Sequence, residues 1–239
     1  MCTVTWLAEL DSYQVFFNRD EKRQRKPAQR PAIHDAHGVR LLYPVDGQAG
    51  GTWLGVNAYG LTLGVMNYYA AGNEAVTGRV SRGKLVQKLL ELKSVAEVRK
   101  QMTQNSFIDY APFVLIAIDD TTLLNAFTWD NHSVSGTTIK SPGFLTTSSY
   151  DPDQVAARRK EFFTEFSNKH APLTAEKLIA FHSSQSPESG PNAICMERED
   201  AQTLSFSHVL VTPALASFTY TNGPPCRNEP GEPVMIERR

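Results

Sequence analysis

A layered α+β fold, with sheets packed on one another and helices outside, follows from three features of this sequence. β-branched and aromatic runs separated by turn residues come first, segments with helical spacing and N-cap residues interrupt them twice, and strand-like runs return at the end. Sheets and helices that alternate this way bury their apolar faces against one another in layers. Thr3-Val4-Thr5-Trp6-Leu7 and Gln14-Val15-Phe16-Phe17 flank the polar Glu9-Leu10-Asp11-Ser12, which predicts a hairpin. Trp53 to Asn57 and Leu61 to Tyr68 predict a second hairpin, with Gly60 supplying the turn conformation.

Helices come next. Ser81 is a suitable N-cap for a helix carrying Leu85, Val86, Leu89 and Leu90, and Ser94 for one carrying Val95, Val98 and Met102. Phe113 to Ile118 reads as a buried strand with Leu123 to Trp129 as its partner. Asp151-Pro152 predicts a helix start, with aspartate as N-cap and proline in the first turn, ahead of Val155, Phe162, Phe163 and Phe166. Thr174 is placed to cap a short helix bearing Leu178, Ile179 and Phe181. Strands are expected again at Ala193 to Met196, Thr203 to Phe206 and Ser217 to Tyr220, with a mobile end to the tail Pro224 to Arg239. No repeat or linker divides the chain, so residues 1–239 are expected to form one domain.

Composition excludes several classes of function. A formal net charge of −1 gives no whole-molecule attraction for nucleic acid. No apolar run reaches the ~20 residues of a transmembrane helix, and the opening lacks the basic and apolar regions of a signal peptide. Cys2, Cys195 and Cys226 are too few and too scattered for a disulfide framework or a zinc site, which suits a reducing, cytoplasmic setting. His34-Asp35-Ala36-His37 lacks further ligands and reads as a loop, so neither a metal nor a resident cofactor is expected. Gly47-Gln48-Ala49-Gly50-Gly51 lacks the lysine of a phosphate loop and reads as a flexible turn.

The chemistry centres on the opening Met1-Cys2-Thr3. Methionine is removed efficiently before a small second residue, which would leave a first residue holding both a thiol and an α-amine. Such an amine titrates near pH ~8 and a thiol near ~8.5, so one residue can act as nucleophile and general base. The first hairpin returns Asn18-Arg19-Asp20-Glu21 to this neighbourhood, where an arginine favours thiolate and a carboxylate can hold an ammonium.

These residues carry a resemblance. Met1-Cys2-Thr3, Asn18-Arg19-Asp20-Glu21, Gly51-Thr52-Trp53-Leu54-Gly55-Val56-Asn57, Ser81-Arg82-Gly83 and Ile194-Cys195-Met196 resemble the NRDE family, related to the transport and Golgi organization protein 2. That family is similar to the N-terminal-nucleophile hydrolases, particularly the branch of bile-salt hydrolases and penicillin V acylases. The resemblance implies a four-layer αββα sandwich. It also implies a contact from Asp20 to the amine of the nucleophile Cys2 and an oxyanion-hole role for Asn67. Thr147 stands where that branch carries a second catalytic asparagine, a departure from the pattern. The branch's arginine lies slightly earlier than Arg19. Adjacent residues on a strand face opposite ways, so Arg19 and Asp20 cannot both point at Cys2 without a bulge; Asp20 is preferred.

Lys22, Arg23, Arg25 and Lys26 follow with no acidic residue among them and are candidates to receive an anionic ligand at the cleft rim. Interleaved aromatics are absent, against nucleic-acid binding. Two functions fit. One is an amidohydrolase or acyltransferase acting on a nonpeptide amide through a Cys2 thioester. The other, carried by the family resemblance, is a non-hydrolytic carrier of an anionic amphiphile such as acyl-CoA or haem.

Overall fold

A computed structural model describes residues 2–69, 78–119 and 123–239. Met1, and with it the expected removal of the initiator, lies outside the described residues. The strands are β1 (Cys2–Ala8), β2 (Tyr13–Lys22), β3 (Gln29–Ala36), β4 (Val39–Val45), β5 (Leu54–Asn57), β6 (Thr62–Asn67), β7 (Phe113–Ile118), β8 (Leu123–Trp129), β9 (Val134–Lys140), β10 (Gly143–Thr147), β11 (Ala201–Val211), β12 (Leu215–Asn222) and β13 (Val234–Glu237). The helices are α1 (Arg82–Leu89), α2 (Val95–Gln104), α3 (Pro152–Lys169) and α4 (Ala175–His182). One sheet runs β10-β1-β2-β11-β12-β13 and the other β3-β4-β5-β6-β7-β8-β9, and neighbouring strands within each are antiparallel.

Three apolar layers hold these elements. Val4, Trp6, Val15 and Phe17 of the first sheet meet Leu54, Val56, Met66 and Ile116 of the second. The second sheet's other face packs Leu63, Leu115 and Phe127 with Leu85, Leu89 and Val98 of α1 and α2. The first sheet's other face packs Leu7, Phe16 and Phe206 with Phe163 of α3 and Phe181 of α4. The result is the expected four-layer αββα sandwich. In β1, both faces are buried, so its alternation separates Cys2, Val4 and Trp6 on the intersheet side from the threonines on the helix side. Each buried threonine hydroxyl meets a helical partner: Thr5 Oγ1 lies 2.9 Å from His182 Nε2, and Thr3 Oγ1 accepts from Arg159 at 2.9 Å.

Several expectations are corrected. β2 continues through Lys22, because β11 pairs with it along its whole length. His34 and Asp35 belong to β3, not a loop, and His37 occupies the turn after it at φ +51. Ala193 to Met196 forms no strand; Ile194 and Cys195 instead donate to Ser186 and Ser184, on the chain leaving α4. The tail does not end loosely. β13 pairs with β12, and Arg239 N donates to Ala58 O at 2.9 Å. Ser81, Ser94 and Thr174 cap their helices through their side chains, whereas Asp151 sits at φ +39 and makes no side-chain cap bond.

His182 has a consequence for stability. Burial between Phe16, Phe181 and Phe206 depresses its pKa to about 3. In the unfolded chain it titrates near ~6.5. A neutral folded histidine contributes stability that is complete above the unfolded value and is lost as pH falls through the window to the folded value, at about 1.4 kcal/mol per pH unit. His208, depressed by burial to about 4, acts in the same direction. Urea titrations between pH 8 and 4 are therefore expected to show stability falling below pH ~6.5. H182N should remove one proton's worth of slope. A flat profile down to pH ~5 in the wild type would refute this assignment.

Candidate functional site

Cys2 opens the first strand between Arg19 of β2 and Thr147 of β10, its cross-strand neighbours. It borders a cavity of about 510 Å³, together with Arg19, Asp20, Trp53, Asn67 and Arg82. Burial pushes the Cys2 thiol up to about 11, and the nearby Asp20 carboxylate adds to the rise while Arg19 opposes it. At neutral pH the group is therefore a thiol, and attack requires a base to take its proton.

Strand alternation sorts the tetrapeptide Asn18 to Glu21. Arg19 faces the cavity on the same side as Cys2, with its guanidinium 4.2 Å from the Trp53 ring centroid and paired to Asp46. Glu21 also lines the cavity. Asn18 turns to the helical layer, where its amide donates to His182 O at 2.8 Å and Ile194 O at 2.9 Å. Asp20 borders the cavity, but its carboxylate is held from behind. Thr203 Oγ1 donates to it at 2.7 Å, and the Arg159 guanidinium lies 3.6 Å away. Burial raises the Asp20 pKa, with Arg159 pulling against that rise. The strand has no bulge at this point; the register shift falls on β11, between Thr203 and Ser205.

Arg159 is the largest element that sequence reading missed. It is fully buried, donates to Thr3 Oγ1 at 2.9 Å, Thr146 Oγ1 at 3.0 Å and Pro191 O at 2.9 Å, and ties α3 to both β1 and β10. A signal existed. Val155, Arg159 and Phe163 recur every four residues, so a charge occupies the buried stripe of the helix.

Asn67 lines the cavity at the end of β6, and its amide donates to Tyr69 Oη at 2.7 Å. Thr147 does not line it, and its hydroxyl is buried without a hydrogen bond among the described residues. The basic segment divides. Arg25 lines the cavity, held by Asp46 at 2.8 and 3.0 Å and by Glu21 at 3.1 Å. Lys22, Arg23 and Lys26 are exposed and off the cavity wall. Arg23 is drawn away by Arg198 O at 2.9 Å, Gln202 at 2.6 Å and Glu197 at 3.2 Å. Of the four cations expected at the rim, Arg25 alone reaches the cavity wall, and Arg23 is engaged by residues 197–202 beside β11.

Asp46, also unanticipated, joins Arg19 to Arg25 and accepts from Gln48 N and Ala49 N in the glycine-rich turn. Against the upward push of burial, the Arg25 hydrogen bonds and the Ala49 amide hold its carboxyl below the usual range. That turn is thus a built wall of the cavity, beyond its reading as a flexible connection.

The motifs Gly51-Thr52-Trp53 and Ser81-Arg82-Gly83 meet here. A Cβ on Gly51 would lie 2.5 Å from the Gly83 carbonyl carbon, and one on Gly83 would lie 2.7 Å from Thr52 N. Only glycine permits this backbone approach, closed by Thr52 N donating to Gly83 O at 3.1 Å. It brings the start of α1 to the cavity and puts Arg82 in its wall, donating to Pro112 O at 2.9 Å with no carboxylate partner among the described residues. Among the described residues no cluster could hold a metal ion.

This sandwich, with a cysteine at the head of its first strand, is the N-terminal-nucleophile hydrolase fold. The family described as Transport and Golgi organisation 2 matches residues 1–220, and the chain belongs to it. No curated protein matches the chain. Among solved structures, the chain is similar to penicillin V acylase from Agrobacterium tumefaciens, with 12% identity over 91% of this chain and 82% of that one and a TM-score of 0.53. It is similar to a variant of conjugated bile acid hydrolase from Clostridium perfringens, with 10% identity over 99% and 92% and a TM-score of 0.56. A Caenorhabditis elegans ortholog of N-acylethanolamine-hydrolyzing acid amidase shares 7% identity over 87% and 92%, with a TM-score of 0.61. At such identities the likeness extends to the fold alone.

Proposed function

We propose that this protein is an N-terminal cysteine amidohydrolase or acyltransferase that cleaves a nonpeptide amide through a Cys2 thioester. The observation that carries the reading is the Cys2 thiol bordering a cavity whose wall also holds Arg19, Asp20 and Asn67. Removal of Met1 gives Cys2 an α-amine of pKa near ~8, able to take the thiol proton as sulfur attacks the amide carbon. The Asn67 amide is the donor for the oxyanion, a contribution on the order of 10²–10³ in rate. The ammonium then protonates the departing amine, leaving a thioester for water or another acceptor. Asp20 steadies the ammonium from its place beside Cys2, and Thr147, at the position of the second catalytic asparagine, stands across from the nucleophile on β10 but off the cavity wall.

Similarity to an acylase, a bile acid hydrolase and an acid amidase supports the choice of amides. The test is incubation of the Met1-processed chain with N-acyl amino acids, bile-salt-like amides and penicillin V. Product release and an acyl adduct mapped to Cys2 are expected. No turnover across that panel, together with tight binding of acyl-CoA or haem, would replace this reading with the second one: a cytoplasmic, non-hydrolytic carrier of an anionic amphiphile. One observation favours that alternative, namely Arg82 in the wall with no carboxylate in ion-pair contact among the described residues.

Under either reading Arg82 receives the anionic end of the ligand. R82Q is expected to weaken binding of carboxylate or phosphate ligands about 10-fold or more, the loss of a charge-assisted hydrogen bond. Neutral ligands of the same length should keep their affinity. Equal affinity of both proteins for the anionic ligand would remove Arg82 from this role.

A further inference from the structure

We propose that Cys195 and Cys226 are a reversible disulfide pair that braces the rear of the Cys2 site. Their sulfurs lie 2.7 Å apart, and both are thiols in this structure. That separation is roughly 0.7 Å beyond the ~2.05 Å of a disulfide bond, so small side-chain rotations suffice to close it. Sequence spacing conceals the pair, because the two residues come from separate loops: one returning from α4, the other leaving β12. Cys226 also lies beyond the residues matched by the family.

The two loops are already held in register without the sulfurs. Arg227, next to Cys226, pairs with Glu197, two residues after Cys195. Arg227 N donates to Pro224 O at 3.0 Å, and Asn228 Nδ2 donates to the same carbonyl at 2.9 Å, which fixes the turn carrying Cys226. On the other side, Cys195 N donates to Ser184 O at 2.7 Å.

The residues flanking Cys195 connect it to the site. Ile194 O accepts from Asn18, and Met196 N donates to Thr203 Oγ1 at 2.9 Å, the same hydroxyl that donates to Asp20. A cystine here ties the segment that backs Asp20 to the β12 turn. Cys2 borders the cavity, which neither Cys195 nor Cys226 lines, and is not part of the pair.

Oxidation requires an acceptor for two electrons, which a small-molecule disulfide such as glutathione disulfide supplies. Cys226 is the more exposed and reacts first: its thiolate attacks one glutathione sulfur, and one glutathione leaves as thiolate. Cys195, whose pKa is raised by burial, then loses its proton and attacks the Cys226 sulfur, expelling the second glutathione. Two protein thiols and one glutathione disulfide become one protein disulfide and two glutathiones.

The test is equilibration of the full chain in glutathione buffers from fully reduced to fully oxidised, followed by acid quenching, denaturation, iodoacetamide alkylation and peptide mapping. Three alkylated cysteines are expected in the reduced limit. In the oxidised limit Cys2 alone should be alkylated, with the Cys195 and Cys226 peptides joined and a melting temperature higher by roughly 5–10 °C. C226S should lose both the link and the temperature difference. C195A provides the same comparison should C226S fail to fold. Alkylation of Cys195 and Cys226 in the fully oxidised buffer, or a link from either to Cys2, would overturn the proposal.

Discussion

R159L is expected to cost about 3–5 kcal/mol of folding stability, the range for removing one partner of a buried ion pair. The cost arises because the buried Asp20 carboxylate loses the guanidinium beside it, while Thr3 and Thr146 lose the group that donates to both hydroxyls. Denaturant unfolding measures it. The double variant R159L/D20L should recover much of the loss, since replacing both charges by apolar groups removes the desolvation that the pair has to offset. A single-variant cost below ~1 kcal/mol, or no recovery in the double variant, would show that the pair is not the brace described above. Such a value would match the small worth of an exposed pair.

C2S is expected to leave the fold and ligand affinity in place while abolishing most turnover, on the order of 10³-fold or more, for the proposed amidase. Serine keeps size and polarity, but it is a much weaker nucleophile without a strong base, and its ester replaces the reactive thioester. The neighbours of Cys2 argue that the structure tolerates the change: its strand is paired on both sides through backbone bonds, with Arg19 and Thr147 opposite. Steady-state kinetics on a hydrolysed amide, alongside thermal unfolding, separate the two effects. A variant retaining turnover within ~10-fold would exclude Cys2 as the nucleophile. Loss of folding in C2S would move the comparison to C2A, which has no hydroxyl to desolvate.

Much of the fold was legible because local rules carried it. Ser81, Ser94 and Thr174 cap the helices that follow them, since a side-chain oxygen can satisfy an amide a few residues on in any context. Gly60 turns the β5–β6 hairpin at φ +81 for the same local reason. Asp151 had the right residue type but adopts a left-handed backbone, so its carboxylate makes no cap bond. Short half-buried strands such as β3, β9 and β13 escaped reading because their burial patterns are irregular and long-range pairing, more than propensity, makes them strands.

What the sequence by itself determined is the identity of the family, the layered fold and the chemical inventory: a cysteine at the head of a strand, the tetrapeptide Asn18 to Glu21, and Asn67 at the end of a strand. What only the tertiary structure decided is which charges share an environment. Arg19 with Asp46, Asp20 with Arg159, and Cys195 with Cys226 are each separated by tens of residues or more, and their meeting depends on sheet register and helix docking. The energies of these groups depend on burial and separation to within a few ångströms, so identical residues can form an exposed surface pair, as at Arg23, or a buried brace, as at Arg159. Sequence order carries no measure of that distance.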